Sequence, residues 1–279
     1  MKWAPKESEP RTDSLPLLLR ADHNEASVFL PENLLREARR QRGLSSGSVP
    51  PICFLDPDGD IVRHLHRDAD AVRSGNWACY HTDLFETARE GLRFGIVGGA
   101  VGAPFAVLVA EELFASGCAF LVSMTSAGQL AEGLRLPCVI LIEQALRGDG
   151  TSQRYLPPEP WVSADSLALT AAAHGLAMAG LTTIRGMVWT TDAPFRETPS
   201  SLADARAAGA LAVEMEAAAL YAFSQAREKP VICFAHVTNQ MAQVDGDFEK
   251  GPADGAEQAL AVMIAAAKGW LASRQEVSS

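Results

Sequence analysis

Basic residues are in short supply. The chain of 279 residues carries 24 Lys and Arg against 34 Asp and Glu, a formal charge of −10. Binding a polynucleotide backbone takes clustered cations, so the balance argues against nucleic acid as a partner; a small anion held locally remains possible. Cysteine is sparse as well. Cys53, Cys79, Cys118, Cys138 and Cys233 are odd in number and scattered, mostly in apolar runs. No C-x-x-C pair occurs, which argues against zinc and disulfide frameworks and for free thiols in a reducing cytoplasm. No H-E-x-x-H or similar cluster points to a metal, and no cofactor is expected. No apolar run reaches membrane-spanning length without a Gly, Pro or charge inside it. The stretch over residues 1–14 is polar and carries acids, unlike a secretory signal. No internal repeat is found.

Hydrophobic residues make up 48% of the chain, enough for the core of one large α/β domain or two small ones. Residues 1–16 read as a disordered lead-in, and residues 1–50 as a partly disordered extension before a domain over 51–279. Within that domain the spacing predicts a strand over 52–55, stopped by Asp56-Pro57-Asp58-Gly59, a strong turn signal. A basic stretch over 61–73 reads as a helix, solvated or functional. A buried strand from Phe94 runs into the glycine-rich turn Gly98-Gly99-Ala100-Val101-Gly102, then a helix over 105–116. A strand over 118–124 leads to a small-residue loop over 125–128. Strands over 139–145, 182–191 and 231–237 alternate with helices over 164–179, 201–209 and 253–273. Short β-branched runs between helices of 3.6-residue period argue one α/β domain of about six strands or more, antiparallel members left open. In such sheets ligands sit beyond the C-terminal strand ends, where both glycine-rich loops fall.

Residues 212–223 read as a buried helix opening in which Glu214 and Glu216 bracket Met215. Two acids there are either a solvated first turn favoured by the helix dipole, or buried groups that need a hydroxyl-rich partner such as a sugar. The glycine turn is a packing device or an anion cradle; it lacks the spacing of a P-loop or a dinucleotide fingerprint. Thr125 and Ser126 are helix caps or ligand donors. Asp192, ending a strand, is a cap or a catalytic carboxylate. Asn239 ends another strand and can both donate to and accept from a base edge. His236 reads as a core histidine.

Three segments resemble the nucleoside phosphorylase/uridine phosphorylase superfamily, which also contains nucleosidases. Val213-Glu-Met-Glu-Ala-Ala-Ala-Leu220 is similar to its ribose-binding segment. Arg147-Gly-Asp-Gly-Thr-Ser-Gln-Arg-Tyr155-Leu-Pro157 is similar to its R-D/G-x-G-T-S-x-x-Y-L-P loop. Val101-Gly-Ala-Pro104, Glu111-Glu-Leu113, Gly117 and Ser126-Ala-Gly128 follow its spacing. The likeness runs from about residue 53 to 270. It implies a single-domain phosphorylase-like α/β fold, a central mixed β-sheet flanked by helices. It implies Met215 and Glu216 on the ribose, with Glu214 as companion. Gly102, Ser126 and Arg63 become phosphate candidates. Ala127, Gly128, Phe195 and Asn239 become base candidates, and Glu216, Asn239 and Asp192 the catalytic set.

The sequence also departs from the pattern. The family strand ending I-R-x-G-T/S has a counterpart in Val122-Ser-Met-Thr-Ser126, with Ser123 in the place of the phosphate-gripping arginine. The G-D-P-x-R loop becomes Leu55-Asp-Pro-Asp-Gly59, without that loop's glycine or arginine. Asn239 stands where purine-acting hexameric members carry an acid. Arg63, Arg67, Arg20 or a neighbouring subunit are candidate substitutes for the missing charge. The resemblance implies a cytoplasmic homo-oligomer (dimer, trimer or hexamer) that cleaves a ribonucleoside with phosphate as co-substrate, giving free base and ribose 1-phosphate. A nucleosidase using water and a non-catalytic nucleoside binder are the alternatives.

Overall fold

The computed structural model describes residues 22–67, 70–241, 245, 247, 248 and 250–278. Arg20 and the lead-in over 1–16 lie outside the described residues. The strands are β1 (Ile52–Asp56), β2 (Val72–Arg73), β3 (Leu84–Arg89), β4 (Leu92–Gly98), β5 (Phe120–Gln129), β6 (Cys138–Gly148), β7 (Trp161–Ser163), β8 (Ile184–Thr191), β9 (Ala210–Glu214) and β10 (Val231–Asn239). They form one mixed sheet in the order β10-β6-β8-β9-β5-β1-β4-β3-β2, with β7 beside β6. A further β10–β5 ladder closes the first part of that order into a ring. β1 runs parallel to β4 and β5, and β5 parallel to β10, so their C-terminal ends emerge together.

The helices are α1 (Pro31–Arg42), α2 (Asp60–Arg67), α3 (Ala103–Ala115), α4 (Ser152–Tyr155), α5 (Ser166–Met178), α6 (Pro199–Ala207), α7 (Ala217–Arg227) and α8 (Ala256–Ser278). They cover both faces of the sheet. One core joins α3 and α7 to residues such as Leu55, Leu121 and Ile142. The other joins α2, α5 and α8 to Phe54, Phe94, Phe120 and Phe234. α5 and α8 cross at glycines. A Cβ on Gly175 would lie 2.0 Å from the Ala265 carbonyl oxygen, and one on Gly269 would lie 2.1 Å from that of Ala171. Upstream, α1 buries Leu35 and Ala38 with Ala78 against Ala115 of α3. Among the described residues no helix is long and apolar enough to cross a membrane.

Three local expectations change. Residues 212–214 are not helix but the end of β9, because Ala212, Val213 and Glu214 pair with β8. Residues 125–128 are not a loop. Their small side chains let β5 run on between β10 and β9, with Ser126 opposite His236 and Gly128 opposite Val213. The basic helix ends at Arg67, and the short edge strand β2 and its neighbour β3 follow it.

Candidate active site

The join between β9 and α7 explains why two acids stand so close. A helix start leaves backbone N–H groups without partners. Glu214 supplies them: one carboxylate oxygen accepts from the N–H groups of Glu216 and Ala217, both at 2.8 Å. Its other oxygen accepts the hydroxyl of Thr190 on β8, and that hydroxyl in turn accepts the Ala218 N–H at 2.9 Å. With the cap supplied from two residues upstream, the side chain of Glu216 is free to point elsewhere. One of its oxygens accepts the Gly102 N–H at 2.6 Å, and the other accepts the Thr125 hydroxyl at 2.6 Å. Gly102 meets this need at φ +91°, a backbone conformation natural to glycine.

Both acids are buried, Glu214 at 3% and Glu216 at 1% exposure. Burial is the first cause that pushes the Glu216 carboxyl up to about 7. Burial, followed by the charge of Glu216, pushes Glu214 up to about 8. Hydrogen bonds to the ionised forms pull against both shifts.

A second acidic group lies on the turn after β1. Asp56 accepts the N–H groups of Gly59 at 3.1 Å and Val62 at 2.9 Å, which seats the start of α2. Burial, then the charges of Asp58 and Asp60, raises its carboxyl to about 7. Asp60 pairs with Arg63 and with Lys250. Asp58 reaches across to β5 and accepts the Ser126 N–H at 3.0 Å.

The structure gathers Gly102, Thr125, Ser126, Met215 and Glu216 at the C-terminal ends of the parallel strands. Met215 reaches to 4.0 Å from the point where a Cβ on Gly102 would stand. Ala127, Gly128 and Asn239 adjoin them. The Asn239 amide nitrogen donates to the Ala127 carbonyl at 3.4 Å, and its oxygen accepts the Met241 N–H at 2.9 Å. Gly128 keeps this corner open, since a Cβ there would meet the Met241 side chain at 2.7 Å. Other expected residues stand apart. Arg63 is bonded to Asp60 and to the carbonyl of Asp58 at 3.1 Å, with its side chain 62% exposed. Phe195 is 98% exposed. Asp192 accepts the Gly150 N–H at 2.7 Å and so ties down the loop that precedes α4. Buried Arg147 organises that loop through the carbonyls of Ser152, Leu156, Pro157 and Glu159.

Sequence reasoning passed over Asp58, Thr190 and Met241. The signal for Asp58 was present: a turn closing a fully buried strand needs one acid to cap it, and this turn has three. Thr190 carried no signal, because its partner lies 24 residues away on another strand.

Known proteins resemble the chain in sequence and in fold. The phosphorylase superfamily matches the chain over residues 52–268. A guanosine phosphorylase of Halorubrum lacusprofundi is 30% identical over 217 residues, covering 77% of this chain and 86% of its own. In three dimensions the chain is similar to a purine nucleoside phosphorylase from Toxoplasma gondii, solved with immucillin-H, at TM-score 0.69 and 18% identity, over 82% of this chain and 93% of that one. It is also similar to an AMP nucleosidase from Bacteroides thetaiotaomicron at TM-score 0.67 and 21% identity, over 89% and 100%. A uridine phosphorylase from Vibrio fischeri follows at TM-score 0.66 and 20% identity, over 81% and 92%. The mixed sheet flanked by helices agrees with all three. The Val213–Leu220 segment carrying Glu216 and the Arg147 loop both fall inside the matched span, and the chain belongs to the phosphorylase superfamily.

Proposed function

We propose that this chain cleaves the N-glycosidic bond of a ribonucleoside, with Glu216 and Met215 holding the ribose. The observation that carries the reading is the Glu216 carboxylate. It is buried, yet satisfied by one backbone N–H and one hydroxyl, with Glu214 doing the capping that would otherwise occupy it. Vicinal sugar hydroxyls are the natural additional donors for such a group. Breaking the bond through an oxocarbenium-like state places positive charge on the sugar, which Glu216 stabilises in its ionised form. Ala127, Gly128 and Asn239 take the base side. The name of the Halorubrum relative makes guanosine the first substrate to try.

Two acceptors are open to this chemistry, each with its own support. Phosphate, giving ribose 1-phosphate, is supported by that relative's being a phosphorylase. Water, giving free ribose, is supported by the bond of Asp58 to the Ser126 N–H, a position the resemblance would give to phosphate. We take the working enzyme to be a cytoplasmic homo-oligomer with no cofactor. Chromatographic measurement of base released from guanosine, with and without phosphate, tests the reading. Release in either buffer supports cleavage, whereas tight nucleoside binding with no product would favour a binding protein.

A further inference from the structure

The turn from Asp56 to Asp60 holds three carboxylates, and two have structural work. Asp56 caps the start of α2, and Asp60 engages Arg63 and Lys250. Asp58 is the third. It is half-buried and bonded to the Ser126 N–H at 3.0 Å. Ser126 directly follows Thr125, whose hydroxyl holds Glu216 at 2.6 Å. Adjacent α-carbons are about 3.8 Å apart, so the two carboxylates hang from neighbouring residues of one strand. Opposite Ser126 on β10 is His236, 5% exposed, whose Nε2 has no hydrogen-bond partner among the described residues.

The Ser126 N–H would suit an incoming oxyanion, but here the chain's own carboxylate holds it. A phosphate dianion would have to displace Asp58 and then sit beside Asp56 and Glu216. Two cations of this edge, Arg63 and Lys250, are committed to Asp60. Water carries no charge and meets none of that repulsion. A carboxylate held by one oxygen keeps the other for a proton.

Resting on the riboside reading above, we propose that Asp58 is the general base for an attacking water, which makes the chain a nucleosidase. The water oxygen bonds to C1′ and its proton passes to Asp58. The C1′–N bond breaks, and its electron pair leaves with the base, which takes up a proton from solvent. Free base and ribose depart, and Asp58 returns its proton to solvent.

The test uses the full chain with guanosine, inosine, adenosine and uridine, following base and sugar products with and without phosphate. The wild type is expected to release base equally in both buffers and to form ribose, not ribose 1-phosphate. Asp58→Asn keeps an acceptor for the Ser126 N–H. It should lower kcat by about 10²–10⁴-fold, the usual worth of a general base, with KM within about threefold. Asp58→Ala should be equally slow and regain base release when formate is added, which a purely structural role would not produce. Release that requires phosphate, or a kcat for Asp58→Asn within about threefold of wild type, would overturn the proposal and leave the riboside reading standing. No release from any of the four nucleosides would overturn both.

Discussion

The carboxylate of Glu216 accepts the backbone N–H of Gly102 at 2.6 Å, across 114 residues of sequence. That bond joins the glycine turn after β4 to the β9–α7 junction, and both termini of the connection lie at the rim of the candidate site. Replacing Glu216 by Ala removes the proposed acceptor of the ribose hydroxyls. Affinity for a ribonucleoside should fall by about 2–3 kcal/mol, the scale of lost hydrogen bonds to a charged group. Titration calorimetry measures this directly, and unchanged affinity would remove the ribose assignment.

Glu214 and Thr190 should behave differently. Thr190→Val strips a donor from a buried carboxylate and an acceptor from the Ala218 N–H. Leaving such groups unsatisfied costs about 1–3 kcal/mol each. Urea unfolding should show a loss of about 2 kcal/mol or more, while KM for the nucleoside stays within about twofold. A raised KM at unchanged stability would instead mark Glu214 as a ligand group.

Gly102→Ala separates backbone strain from site geometry. The residue has φ +91°, and a Cβ there would meet only the tip of Met215 at 4.0 Å. The strain costs about 1–3 kcal/mol, and relaxing it moves the N–H away from Glu216. Stability and kcat/KM should fall together. Gly91→Ala, at φ +77° in the β3–β4 turn with open space around it, should lose stability and keep kcat/KM. Equal loss of activity in both variants would contradict the link.

The buried acids set the pH dependence of stability. Asp56 and Glu216 are held up at about 7 and Glu214 at about 8, from ordinary values of 3.8 and 4.5. The folded chain then keeps protons that the unfolded chain has already released. Stability from these groups is therefore full below the ordinary values and is lost as pH rises through the folded ones. His236, pushed down first by burial, acts in the opposite sense, its contribution falling as pH drops below 6.5. Three acids outweigh one histidine, so Tm should fall between about pH 5 and pH 8. A Tm that rises across this range would contradict the burial of the acids.

Much of the fold was legible because local pattern determines it. The strand around Ile96, the α3 helix after the glycine turn and the long closing helix follow from apolar period and turn chemistry. The ring closure was not, since pairing of β5 with both β9 and β10 depends on residues such as Gly128 and Val213 that meet only in three dimensions. Likewise Val213 and Glu214 look helical beside three alanines, but cross-strand partners on β8 make them strand. In the site, Glu216 stood out because an acid in an apolar stretch needs a reason. Asp58 resembled ordinary turn chemistry, and only its reach to Ser126 distinguishes it. Phe195 fits the base side by position alone, whereas its ring is exposed.

The most direct test is the rate at which free base appears when guanosine is incubated with the wild-type chain and with Glu216→Gln. Enzymatic cleavage by the wild type, slowed by about 30-fold or more in the variant as for a loss of about 2 kcal/mol, is the expected result. No base from the wild type, or equal rates for the two proteins, would contradict the account.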